Sequence, residues 1–225
     1  MEDIVIIGGG IIGASTAYFL SKEGRKVKVI ERDPTYKNAS FPLSLGGFRR
    51  QFFQKENILL GKFAREFISQ IPELLKTEKN PNPTASMVPN GYLLMFGPEH
   101  AEEQYRALEN HKICEAGTKN IKGSELSKIF SYINSDGIET ATYTDNQSEG
   151  WIDPFMFHGA LKSKAIELGA EFIKGEVKSI SEIKAKIIIS AAGCWTKELL
   201  DDIPVVPQNI LSLELNVPNI FQKCL

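Results

Sequence analysis

The segment from Asp3 to Glu31 constrains the fold most, because one uninterrupted run specifies a strand, a glycine turn, a helix and a second strand. Ile4-Val5-Ile6-Ile7 is a short β-branched apolar run of the kind buried on both faces of a parallel sheet. Gly8, Gly10 and Gly13 follow at the G-x-G-x-x-G spacing. The first glycine permits the tight turn, the second lets backbone approach a pyrophosphate, and the third lets helix pack closely on strand. The spacing predicts a helix over Ile11–Glu23 that presents free N–H groups and a positive dipole end, with Gly24 closing it. Val27-Lys28-Val29-Ile30 is the second strand, and Glu31 stands at its carboxyl end. A carboxylate there accepts hydrogen bonds from both ribose hydroxyls of an adenine nucleotide and repels a 2′-phosphate. All four features agree, and together they imply a dinucleotide site.

The 225 residues can form one large domain or two small ones. A net charge of −2 gives no electrostatic reason to expect nucleic acid or an anionic membrane as partner. The apolar runs are too short to span a bilayer, and a strand beginning at Ile4 leaves no room for a leader peptide. Cys114, Cys194 and Cys224 are an odd, scattered set, which argues for reduced thiols and a cytoplasmic location. No zinc spacing occurs, so no metal site is expected; His111 and Cys114 lack companion ligands. His100, His111 and His158 are dispersed and no G-x-S-x-G is present, so a hydrolase has no support. Redox chemistry carried by the dinucleotide is the simplest reading.

Further along, Phe41 to Phe53 reads FPLSLGGFRRQFF, a flexible Gly46-Gly47 turn flanked by Ser44 and by the arginines Arg49 and Arg50. Aromatic residues on both sides imply that this loop is partly buried. Leu59, Phe63, Phe67 and Ile71 recur every fourth residue and predict a helix over 56–75 with that stripe in the core. After the linker Asn80-Pro81-Asn82-Pro83, strands are expected over 91–96 and 138–143 and helices over 98–115 and 124–130, as an inserted second domain. Asp153-Pro154 restarts the helical pattern, with Asp153 as N-cap and Gly169 as terminator. A strand-like stretch over 172–180 is interrupted by Gly175. Ile187-Ile188-Ile189 is another buried strand, delivering Ala191-Ala192-Gly193-Cys194-Trp195 and a helix over 196–200. Those small residues imply a second strand end at the same ligand, and 210–217 alternates like a strand. The expected division is a dinucleotide domain over 1–85 and 148–203, with 86–147 and 204–225 forming a partial substrate domain.

Taken in order, DIVIIGGGIIGASTAYFLSKEGRKVKVIERD, LSLGGFRRQF, NGYLL, EGWIDP and IIISAAGCW resemble the FAD-dependent D-amino-acid oxidase superfamily. Within it the chain is similar to sarcosine oxidase, dimethylglycine dehydrogenase, glycine oxidase and the FAD-dependent oxidoreductase domain-containing proteins linked to complex I assembly. The resemblance implies an α/β fold in which a Rossmann-like FAD-binding domain carries an inserted α+β substrate domain. It implies that Gly8, Gly10, Ile12 and Gly13 hold the FAD pyrophosphate, that Glu31 holds the ribose, and that Arg32 lies beside the adenine. Ser44, Leu45, Gly46 and Gly47 match a loop running toward the flavin, Val177 a strand residue at the adenine, and Ala192, Gly193 and Trp195 the second strand end. Arg49 matches an arginine near the flavin ring, and Arg50 is a candidate partner for a substrate carboxylate. Tyr92 is a candidate for the substrate cavity, or a tyrosine of the sheet core. In the family the flavin takes a hydride from the carbon beside an amine, the resulting imine hydrolyses, and oxygen or an electron carrier reoxidises the flavin.

Two departures from the pattern matter. The family's glycine-rich closing segment has no counterpart before Leu225, and the stretch between Glu176 and Ile187 is shorter than the family's β-meander. A truncated or split version is therefore expected, with the adenosine half of the FAD site intact and a second polypeptide or an oligomer completing the rest. The alternative function is a non-catalytic FAD-fold assembly protein or partner-dependent subunit, and an NAD-dependent dehydrogenase is a third reading.

Overall fold

A computed structural model describes residues 2–144, 147–205 and 208. The expected strand over 210–217, and Cys224, lie outside the described residues. In chain order the elements are β1 (Glu2–Ile7), α1 (Ile11–Lys22), β2 (Val27–Glu31), β3 (Gly47–Phe48), α2 (Lys55–Ser69), α3 (Ile71–Leu74), β4 (Leu93–Phe96), α4 (Pro98–Ile113), β5 (Lys119–Lys122), α5 (Gly123–Ile129), β6 (Thr140–Tyr143), β7 (Gly150–Trp151), α6 (Pro154–Glu167), β8 (Glu171–Lys174) and β9 (Ala185–Ser190). No helix among the described residues is long and apolar enough to cross a membrane.

The chain forms two compact units, Met1–Ser44, Leu75–Pro83 and Pro154–Leu225 in the first, Leu45–Leu74 and Thr84–Asp153 in the second. Residues 45–74, 84–85 and 148–153 thus group with the second unit, unlike the division expected from the sequence. Two packings account for this. Strand β3 pairs antiparallel with β7, and Ile58 of α2 packs against Cys114 and Ala116 at the end of α4.

The first unit is built on a parallel sheet in the order β8-β2-β1-β9. Ile4, Val5, Ile6 and Ile7 of the central β1 are all buried, each contributing roughly 1.5–3 kcal/mol by leaving water. Helix α1 buries Ala14, Ala17 and Tyr18 and packs on α6, which buries Ala160, Leu161 and Ala165. Gly24, in the left-handed region at φ +73°, donates its N–H to Ser21 and ends α1 as the sequence predicts. Beyond β9 the expected helix over 196–200 is a 3-10 run over Gly193–Glu198. Because β2 and β9 lie on opposite sides of β1, their connections diverge and leave a crevice at the carboxyl ends of the strands.

The second unit holds the antiparallel sheet β4-β6-β5. Strand β5 was not expected, since KNIK has no apolar alternation. It forms because β6 supplies its partners, with Ile121 opposite Ala141 and the Thr140 hydroxyl bonded to Asn120 and Ile121. The expected stripe is also corrected: Phe67 of α2 and Ile71 of α3 are buried, but Leu59 and Phe63 of α2 are 53% and 54% exposed. Gly61 of α2 lies against the Arg49–Arg50 backbone, where a Cβ would stand 2.3 Å from the Arg49 carbonyl oxygen. Ile58, one turn before Gly61, is fully buried, while Leu59 and Phe63 stay at the surface.

Candidate functional site

In the first unit a cavity of about 380 Å³ opens at the carboxyl ends of β1, β2 and β9. Nine residues singled out from the sequence line it: Gly8, Gly10, Ile12, Glu31, Arg32, Val177, Ala192, Gly193 and Trp195. The strand ends are joined by backbone hydrogen bonds, Gly8 N–H to the Ile30 carbonyl at 2.9 Å and Ala191 N–H to the Ile7 carbonyl at 2.8 Å. Gly13 lies outside the lining and supports it, for a Cβ there would fall 1.9 Å from the Gly8 oxygen. Gly10 differs: the nearest atom to its absent Cβ is Phe41 Cδ1, at 3.9 Å. Gly10 is also the N-cap of α1, with no side chain capping the helix. Open space at a glycine, beside an uncapped helix N-terminus, fits a pyrophosphate whose oxygens take the first-turn amides.

Glu31 is held in place on both oxygens, Oε2 accepting from Gly9 N–H at 2.6 Å and Oε1 from Asp33 N–H at 2.8 Å. An ionised carboxylate has about four lone-pair sites, so two remain for ribose hydroxyls. The Arg32 guanidinium stands 4.2 Å above the Trp195 ring and 4.0 Å from Glu176. Residues from the ends of β2, β8 and β9 thereby meet at the cavity.

The sequence reading missed the layer behind this loop. His158 of α6 is 2% exposed and donates from Nε2 to the Gly9 carbonyl at 2.7 Å, because a carbonyl only accepts. Its ring stacks on Phe41 at 4.3 Å and meets Tyr36 edge-on at 4.4 Å. Tyr36 takes a positive φ of 57°, and its hydroxyl accepts from Lys162 Nζ at 3.0 Å. The spacing of His158, Leu161, Lys162 and Ala165 along one helical face is the only sequence signal for this layer, and by itself it specifies a helix and no partner.

Burial pushes the Tyr36 phenol up to about 12 and the His158 imidazole below its ordinary 6.5, since both charged forms lose hydration. A depressed histidine stabilises the fold above its unfolded pKa, and that contribution disappears as pH falls below about 6.5. The raised tyrosine stabilises below pH 10 and ceases to do so as pH climbs toward 12. Thermal melts are therefore expected to fall between pH 7 and 5, and His158→Phe is expected to flatten that acid limb.

Of the loop residues, Ser44 closes the first unit, its hydroxyl donating to the Phe41 carbonyl at 2.8 Å, and Leu45 is 81% exposed. Gly46-Gly47 is not a flexible turn. Gly46 accepts from Ile152 N–H at 3.0 Å, and Gly47 pairs with Trp151 in the β3–β7 ribbon. The Tyr92 hydroxyl fills the place of the Gly47 Cβ, which would lie 2.0 Å from it. Tyr92 therefore packs on the strand glycine.

In the second unit Arg49 and Arg50 are half-buried, and the Arg49 guanidinium lies 4.6 Å over the Phe52 ring. The Arg50 backbone is fixed by Glu149, which is fully buried and was not singled out from the sequence. Its carboxylate accepts from Arg50 N–H, Gln51 N–H (3.0 Å), Gln51 Nε2 (2.8 Å) and Thr144 Oγ1 (2.7 Å).

Comparison with known proteins gives the family and the fold. The model of the family described as FAD dependent oxidoreductase (DAO) matches residues 3–220. FAD-dependent oxidoreductase domain-containing protein 1 of Xenopus laevis is 36% identical, over 98% of this chain and 43% of its own length. The solved structure of L-proline dehydrogenase from P. horikoshii covers 88% of this chain and 54% of its own, at 26% identity and a TM-score of 0.69. Glycine oxidase from Geobacillus kaustophilus shares the fold, with a TM-score of 0.69 at 19% identity, over 88% of this chain and 56% of its own. The chain spans about half the length of the curated relatives it matches, 43% and 49% of the Xenopus laevis and Bos taurus proteins.

Proposed function

Since the chain belongs to the FAD dependent oxidoreductase (DAO) family, we propose that it carries the FAD site and the substrate-carboxylate anchor of an enzyme oxidising the C–N bond of an amino acid or N-methyl amino acid. The observation that carries this reading is the strand-end cavity, where an open glycine, an uncapped helix N-terminus and the Glu31 carboxylate meet. Gly8, Gly10 and Ile12 would hold the pyrophosphate, with Gly13 supporting the turn from behind, and Glu31 would hold the ribose. Arg32, Val177, Ala192, Gly193 and Trp195 would surround the adenine end, and Ser44 to Gly47 would follow the cofactor toward the flavin. Bound FAD supplies the acceptor for a hydride from the carbon beside the substrate nitrogen. Arg50 would clamp the substrate carboxylate bidentately, and Arg49 would place a positive charge near the flavin. The named activities of the two structural neighbours, on proline and glycine, support an amino acid as the substrate class.

The test is anaerobic titration of the yellow, FAD-loaded chain with sarcosine, glycine, L-proline and a panel of D-amino acids. Bleaching of the flavin band by one of them is expected. Arg50→Gln should keep FAD while raising the substrate concentration needed by roughly 100-fold, the cost of stranding a carboxylate. A flavin that no amino acid bleaches would overturn the enzymatic reading and leave an FAD-binding scaffold.

A further inference from the structure

We propose that His158 is a positioning residue for the FAD pyrophosphate, fixing from α6 the peptide plane that aims the Gly10 amide. The inference rests on the reading of the strand-end cavity as the FAD site.

Residues 8, 9 and 10 are three consecutive glycines, and such a segment has little intrinsic preference for how its peptides face. Their orientation must come from partners outside the segment. Two partners are present, one for each peptide. The plane joining Gly8 to Gly9 is held through Gly9 N–H by Glu31 Oε2 at 2.6 Å. The plane joining Gly9 to Gly10 is held through the Gly9 carbonyl by His158 Nε2 at 2.7 Å. Because a peptide is planar and trans, the Gly9 C=O and Gly10 N–H point in opposite directions. Drawing the carbonyl toward α6 therefore turns the Gly10 amide away from α6, and it is Gly10, not His158, that lines the cavity.

His158 is itself fixed. Phe41 and Tyr36, both buried, confine its ring on two sides, and Lys162 one turn further along α6 holds the Tyr36 hydroxyl. A buried imidazole needs a partner for its N–H, and here that partner is the carbonyl of a loop rather than a neighbouring side chain. The position is also too deep to touch a ligand directly. His158 acts through Gly9.

The experiment measures the Kd of FAD for the apo-chain by flavin fluorescence, together with the urea midpoint of the apo-protein. His158→Phe keeps the stacked ring and removes the donor, and its Kd is expected to rise about 10-fold, the equivalent of one lost hydrogen bond. His158→Gln offers an amide nitrogen in place of Nε2 and should recover most of that loss, which a purely packing role would not allow. In the wild type, ¹⁵N shifts of the His158 ring should report the Nε2–H tautomer both without and with FAD, a readout independent of how the variants fold. A Kd for His158→Phe within about twofold of wild type, or His158→Gln no better than His158→Phe, or an Nδ1–H tautomer, would overturn the proposal. A wild-type chain that binds no FAD would overturn this proposal and the reading of the cavity together, whereas a defect confined to the predictions above touches only the first.

Discussion

Replacing Glu149 with alanine is expected to cost the second unit roughly 3–5 kcal/mol, measured as a fall in the urea unfolding midpoint. The carboxylate has no exposed surface and accepts four hydrogen bonds, from the backbone of Arg50 and Gln51 and the side chains of Gln51 and Thr144. Alanine orphans all four donors at once and leaves a void. Each buried donor without an acceptor forfeits about 1–3 kcal/mol, less where a water enters the space. Glu149→Gln should fall between, at about 1–3 kcal/mol, because one amide oxygen still receives two of the donors while the NH₂ faces Gln51 Nε2. The loss also reaches the chemistry proposed for Arg50, whose backbone Glu149 holds. Alanine and glutamine variants within about 0.5 kcal/mol of wild type would show that water replaces the carboxylate without loss.

The second large effect separates two glycines of one motif. Gly13→Ala is expected to destabilise the first unit by about 3 kcal/mol or more, because the added Cβ would meet the Gly8 oxygen at 1.9 Å and backbone cannot yield as a side chain does. Relief requires α1 to lift from β1, which withdraws the helix N-terminus as well, so FAD is lost along with stability. Gly10→Ala is expected to do the reverse. Its φ of −64° suits any residue, and the nearest atom to the new methyl is 3.9 Å away, so the fold should stay within about 1 kcal/mol of wild type. The methyl then projects into the open space assigned to the pyrophosphate, and FAD affinity should fall at least 10-fold. Urea melts of both apo-variants beside FAD titrations check the pair. Equal stability for the two variants would remove the distinction.

The β1–α1–β2 unit, α6 and the β9 strand were legible because each is encoded by neighbours in the chain: an unbroken β-branched run, a glycine spacing, a proline at the first helical turn. Nine of the residues proposed for the cofactor then meet in one cavity, since strand ends and glycine turns are placed by the parallel sheet that the same pattern specifies.

What the sequence by itself determined is therefore the placing of the strand ends, the family and the cofactor. Only the tertiary structure decided which part of the apolar stripe is covered, since Leu59 and Phe63 fit the period as well as Phe67 and Ile71 and yet stay at the surface. It alone made a strand of KNIK, by giving it β6 to pair with. It also chose Glu149 and His158, which reach their partners across 98 and 149 positions of chain. Periodicity reports which side of an element is apolar within a few residues. A hydrogen bond between residues so far apart in sequence depends on where two elements come to rest, and no local pattern records that distance.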